Sequence, residues 1–115
     1  MAVNIRQRDD VTILKPKGKV IGRAVRDLSR AINEESAKVS DAPKFLFDFA
    51  DVSMMDSSGL GTLLGAHVAI VQKGGRVAVI NVSEKNVKSL IIRSRLISTF
   101  EHFESEDEAV AALTG

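Results

Sequence analysis

The side chains of this chain that are able to do chemistry crowd into one short stretch, Asp56-Ser57-Ser58-Gly59-Leu60-Gly61. A serine hydroxyl can attack an acyl group, cap a helix by accepting from a free backbone N–H, or carry a phosphate. Acyl chemistry fits worst. A nucleophile elbow needs Gly-x-Ser-x-Gly, and with Ser58 as the nucleophile the first position is Asp56. Neither histidine supplies a base: His67 falls mid-helix and His102 among phenylalanines, positions that suit a structural or solvent-facing role. Asp48, Asp51 and Asp56 offer oxygens to a hard cation. No further ligand accompanies them, and each reads locally as a strand, turn or cap-adjacent residue. Gly74-Gly75 lacks the Lys-Ser/Thr of a phosphate loop and reads as a helix stop. The expectation is a non-enzyme with no catalytic residue, metal or cofactor.

Capping alone accounts for a serine where a strand gives way to a helix, but not for its neighbours. Gly59 and Gly61 each cost a helix roughly 1 kcal/mol relative to alanine, and what they offer is a backbone that another backbone can approach closely. Leu60 between them is expected to project, giving a docking surface with a hydroxyl at its centre. A phosphate there adds about −1.5 to −2 charges, beside the like charge of Asp56. The helix dipole and free N–H groups are expected to tolerate it within the protein. A docked partner that desolvates it without a matching cation is repelled.

The elements that must position this segment follow from periodicity. Val3 to Gln7 and Val11 to Leu14 read as two strands joined by a tight Asp9-Asp10 turn. Gly18 and Gly22 mark a loop, and Val25, Leu28, Ala31 and Ile32 place an amphipathic helix from Arg23 to about Lys38. Phe45 to Ala50 is a strand apolar on both faces. Leu60 to Val71 is a helix closed by Gly74-Gly75, and Val77 to Val82 is a second buried strand. Ser83 is expected to cap a helix in which Val87, Leu90 and Ile91 share a face. Phe100 to Phe103 gives a short last strand, and Ser105 and Glu108 have capping-box spacing before a final helix. The sum is one α/β domain over residues 1–115. Its sheet is mixed, mostly parallel and four- to five-stranded, with about four helices mainly on one side.

Composition excludes several classes. The 115 residues carry a net charge of +1 and contain neither tryptophan nor tyrosine, which argues against a nucleic-acid platform. There is no cysteine, so no disulfide and no thiolate metal site. No run approaches the ~20 apolar residues of a membrane span, and the expected location is the cytoplasm. Lys85, Lys88, Arg93 and Arg95 form a basic patch and Glu101 to Glu108 an acidic one, each readable as a solvated helix face or helix start.

Val52 to Gly61, with Gly74-Gly75-Arg76-Val77, resembles the core of the STAS domain family, and the similarity extends from the Gly18 region to Leu113. The chain is most similar to the stand-alone bacterial anti-sigma factor antagonists. The resemblance implies partner switching. The unphosphorylated form binds an anti-sigma factor that is also a serine kinase, freeing a sigma factor; phosphorylation blocks binding, and a PP2C-type phosphatase resets the protein. It assigns the phosphate to Ser57, with Ser58 the alternative, and partner contacts to Asp56, Ser58, Gly59, Leu60 and Gly61. Where the family commonly has an acid after the second strand, this chain has Gly18-Lys19-Val20-Ile21-Gly22-Arg23. Lys19 and Arg23 are expected either to face an acidic partner or to offset the phosphate. A partner switch acting on a non-sigma target, and an accessory subunit of a membrane transporter, stay open as alternatives. No nucleic acid or membrane contact is expected, and the protein is expected to be a monomer or weak dimer through a free edge strand.

Overall fold

In the computed structural model, which describes residues 1–115, the chain folds around one six-stranded sheet. Strands β1 (Ala2–Arg8) and β2 (Val11–Val20) form the expected antiparallel hairpin, turning at Asp9 with φ 56°. Beyond it every pairing is parallel. Strand β3 (Lys44–Asp48) lies on β2, β5 (Arg76–Ile80) on β3, and β6 (Glu101–His102) on β5. The sixth strand, β4 (Val52–Met55), was not expected. It pairs with the second half of β2, alongside the half that holds β3.

That arrangement corrects the reading of Gly18. The residue does not end the strand; β2 runs through it at φ 94°, and its register shifts between Gly18 and Lys19. A left-handed glycine lets the strand bend without breaking, so one long strand serves two partners. Gly22, at φ 53°, does open a loop, followed by a single 3-10 turn over Gly22–Ala24.

Helices α1 (Val25–Ala37), α2 (Ser57–Gln72) and α3 (Leu90–Thr99) cover one face of the sheet and bury the larger core, which includes Leu28, Phe45, Phe47, Leu63, Ile70, Val79 and Leu96. Helix α4 (Glu106–Thr114) covers part of the other face, packing Ala109, Val110 and Leu113 on Val11, Ile13, Leu46, Ala78 and Ile80. Gly74 and Gly75 end α2 as expected. Gly74, at φ 79°, donates to Val71 O, and Gly75 donates to Ile70 O, the paired bonds of a Schellman stop.

The third helix begins later than expected. Ser83 caps no helix; its Oγ accepts from Lys85 N at 3.3 Å, and its carbonyl accepts from Val87 N at 2.9 Å, closing a single turn. Asn86 holds that turn by donating to Phe49 O and Asn81 O. Ser89 is the true cap, accepting from Ile92 N. Val87 is therefore buried ahead of the helix, while Leu90 and Ile91 stand in solvent.

The acidic segment is tied to arginines. Arg76 donates to Glu101, through Nε at 2.8 Å, and to Ala112 O, joining β5, β6 and α4. Glu106 accepts from Arg6 and Arg8. These hydrogen bonds hold Glu101 and Glu106 below the ordinary carboxylate range. A carboxyl whose folded pKa lies below its unfolded value of about 4.3 binds fewer protons when folded. Its contribution is complete above the unfolded value and is lost as pH falls through the folded one. The melting temperature is expected to drop as pH is lowered from 5 toward 3, and Arg76→Met should flatten that drop. An unchanged pH slope in Arg76→Met would remove the Arg76–Glu101 pair from the account.

Candidate functional site

The five parallel strands run in one direction, and open α/β folds meet their ligands and partners beyond the C-terminal ends of such strands. The serine segment lies there, at the junction of β4 and α2. The cap of α2 is Asp56, not a serine. Its Oδ1 accepts from Ser58 N at 3.0 Å and from Gly59 N at 3.3 Å, and its Oδ2 accepts from Gly22 N at 3.3 Å. Asp56 N in turn donates to Val20 O at 3.4 Å. One residue thus starts the helix and pins the β2–α1 loop to it.

Two consequences follow for the serines. Ser57 and Ser58 are the first two residues of α2, both exposed, and with Asp56 as the cap neither hydroxyl is needed to start the helix. The free N–H groups expected to tolerate a phosphate are in part engaged: those of Ser58 and Gly59 already donate to Asp56 Oδ1. A phosphate on Ser57 would meet the like charge of Asp56 instead of an open ring of donors.

The two glycines part company. Gly59 is buried, and a Cβ there would stand 2.9 Å from Val20 O and 3.0 Å from Met55 Cγ. The close backbone approach expected of it is real, but the backbone belongs to this chain. Gly61 is exposed, with nothing within 4 Å of a Cβ. Leu60 does not project as expected. It adjoins the buried line Gly59, Leu63, Ala66 and Ile70, and packs half-buried against the main core.

The loop cations reach the same corner. Lys19 pairs with Met54 across the β2–β4 ladder, next to the Val20 that contacts Asp56. Arg23 follows the Gly22 that donates to Asp56. Both are exposed, and neither forms an ion pair. Met54, 38% exposed, adds an apolar side chain beside them that the sequence reading missed.

The other chemical candidates are occupied elsewhere. Asp48 is buried and accepts from Ala50 N and Asn81 Nδ2, while Asp51 faces Lys15 at 3.6 Å. The three aspartates therefore serve three separate local purposes. His67 stacks edge-on against Phe100 at 5.1 Å, and His102 is exposed on β6.

The profile of the STAS domain matches residues 2–109. The chain belongs to the STAS domain family. An anti-sigma F factor antagonist from Paenibacillus polymyxa is 26% identical over 113 residues, spanning 98% of this chain and 95% of that protein. Among solved structures, an anti-sigma factor antagonist from Mycobacterium paratuberculosis superposes with a TM-score of 0.82 at 20% identity, covering 99% of this chain and 94% of that one. The Bacillus cell fate determinant SpoIIAA in its phosphorylated form gives 0.68 at 22% identity, covering 96% and 98%. These likenesses establish a shared STAS fold. No helix of the chain is long and apolar enough to cross a membrane.

The two glycines separate constraint from opportunity. Gly59→Ala is expected to destabilise the protein by about 1–3 kcal/mol, since Val20 or the helix must shift. Gly61→Ala is expected to stabilise it by about 0.5–1 kcal/mol, because it adds helix propensity in open space. Chemical denaturation of the two variants checks this; equal effects would show that the corner is not packed as described.

Proposed function

We propose that this STAS protein is an anti-sigma factor antagonist whose binding is switched by a phosphate on Ser57. In its unphosphorylated form it docks, through the corner of Asp56, Ser58, Gly61, Lys19 and Arg23 that the buried Gly59 lets close, on an anti-sigma factor that is also a serine kinase, and a sigma factor is released. The kinase transfers the γ-phosphoryl group of ATP to Ser57 Oγ, leaving ADP and a proton, and the complex separates. A PP2C-type phosphatase hydrolyses the phosphoserine and restores binding. The role is one of recognition, not catalysis.

The observation that carries this reading is the division of labour between Asp56 and Ser57. Capping is done by the aspartate, which leaves an exposed hydroxyl at the first helical position with no structural duty. Modification there changes charge without removing a bond that holds the fold. With its nearest helix amides committed to Asp56, the phosphate faces outward toward whatever is docked. The anti-sigma F factor antagonist among its relatives and the phosphorylated state of its Bacillus structural neighbour support the same reading.

Incubation with ATP and the anti-sigma factor kinase of the same genome should add one phosphate by intact mass. Ser57→Ala should abolish that gain and Ser58→Ala should keep it. A fully phosphorylated Ser57→Ala protein would move the switch to Ser58 or elsewhere. Ser57→Asp should keep the wild-type melting temperature and lose kinase binding; retained affinity would sink the electrostatic account.

A further inference from the structure

Helix α2 is unusual for a helix at a protein surface. From Ser57 to Gln72 it contains no charged residue. A helix apolar all round is normally covered on all sides, yet only the line Gly59, Leu63, Ala66 and Ile70 is buried against the sheet. Leu60 and Leu64 are half-buried, and Val68 and Val71 are 56% and 48% exposed. These four share one helical stripe that leads away from Ser57. The amphipathic α1 beside it has no such outer stripe; its outward positions include Arg26, Arg30, Asn33 and Glu34.

The neighbouring helix α3 also carries exposed apolar residues. Helix α3 contacts α2, and each follows one parallel strand and leads to the next. Its Leu90 and Ile91 are 67% and 77% exposed, and Ile97 is 46% exposed. Five of the seven large exposed hydrophobic residues of the protein thus fall on these two helices. A cluster of that kind marks a binding surface more often than scattered single residues do.

Charge says what covers it. The segment from Ser83 to Thr99 carries Lys85, Lys88, Arg93 and Arg95 against the single acid Glu84. Arg93 turns back to Val87 O and Lys88 O, but Lys85, Lys88 and Arg95 stand exposed around Leu90 and Ile91 without an acid of their own. A second copy of this chain would set these cations against one another. The acids that could answer them, Glu104 to Glu108, lie around α4 on the other side of the sheet.

We propose that the outer face of α2 and α3 is the larger part of the partner-docking surface and receives an apolar, acid-rimmed surface of a protein, with Ser57 at its margin. The identity of that protein rests on the reading given above, that it is the anti-sigma factor kinase. Affinity comes from Val68, Leu90 and Ile91, orientation from Lys85, Lys88 and Arg95, and the serine reports at one end. A phosphate at the margin of a surface held elsewhere acts by repulsion across one rim, without the partner having to let go of every contact at once.

Calorimetric titration of the full chain with the ADP-loaded kinase of the same genome, which has no phosphoryl group to transfer, tests this. The double variant Val68→Ala/Ile91→Ala should bind about tenfold or more weakly, and Lys88→Glu/Arg95→Glu should weaken binding and reduce its salt dependence. Both change exposed side chains and should keep the wild-type melting temperature. If wild type binds, Ser57→Asp fails to bind and both double variants bind within about twofold of wild type, the α2–α3 face is not the docking surface and the serine switch stands alone. If wild type does not bind the kinase, the switch reading itself fails. Concentration-dependent dimerisation in the ultracentrifuge, or sedimentation with phosphatidylserine vesicles, that Val68→Ala/Ile91→Ala removes would overturn the proposal in favour of a second copy or a lipid surface.

Discussion

Asp56 divides its two carboxylate oxygens between two elements, and the geometry of the functional corner depends on that division. One oxygen closes the first turn of α2 on the amides of Ser58 and Gly59; the other reaches back to the amide of Gly22. An N-cap of this kind contributes about 0.5–2 kcal/mol to a helix. Here it also fixes the position of a loop that would otherwise be free to wander. Gly59 completes the joint, because only a residue without a side chain allows Val20 to come as close as it does. The corner is rigid before anything binds to it, so a partner does not have to order it.

A rigid corner suits a switch that works by charge. The fold has no bistable element near Ser57: the helix starts on Asp56, the loop hangs from the same carboxylate, and Leu60 is half-buried against the core. In the switch proposed here, a phosphate on Ser57 would alter the potential of this surface without removing a bond that holds the backbone. The backbone donors of Ser58 and Gly59, which could otherwise welcome an anion at the helix start, are taken by Asp56, so a phosphate on Ser57 would be displayed instead of absorbed. The exposed Lys19 and Arg23 stand next in sequence to Val20 and Gly22, which bond to Asp56.

Much of this was legible in the sequence. The order of strands and helices followed from the switch between alternating and helical periodicity, and the mostly parallel sheet from their alternation. The serine segment stood out by its glycines. What escaped had physical causes. Strand β4 is four residues long and directly follows a turn, so its pattern is too short to separate from the loop around it. The bend in β2 looks like a loop because a glycine that turns a strand and one that ends it are the same letter. Ser83 and Ser89 are both sound caps by type; only the buried amide of Asn86, which holds the intervening turn to Phe49, decides between them. Leu60 was expected to project because it is flanked by glycines, whereas its helical position sets it beside the core.

The hydrogen bond between Gly22 and Asp56 spans 34 positions of the chain, and the strands it depends on are parallel, joined only by long crossovers. The β1–β2 hairpin forms from neighbours in sequence and is kinetically cheap, whereas pairing β2 with β3 and β4 must wait for distant segments to meet. The corner is thus built from non-local contacts and cannot exist until the distant segments that carry them have met. A chain still emerging from the ribosome, or one that has partly unravelled, carries Ser57 and Ser58 as ordinary serines in a loose strand. Under the proposed switch, recognition of the assembled corner would double as an inspection of the fold: only a finished molecule could report.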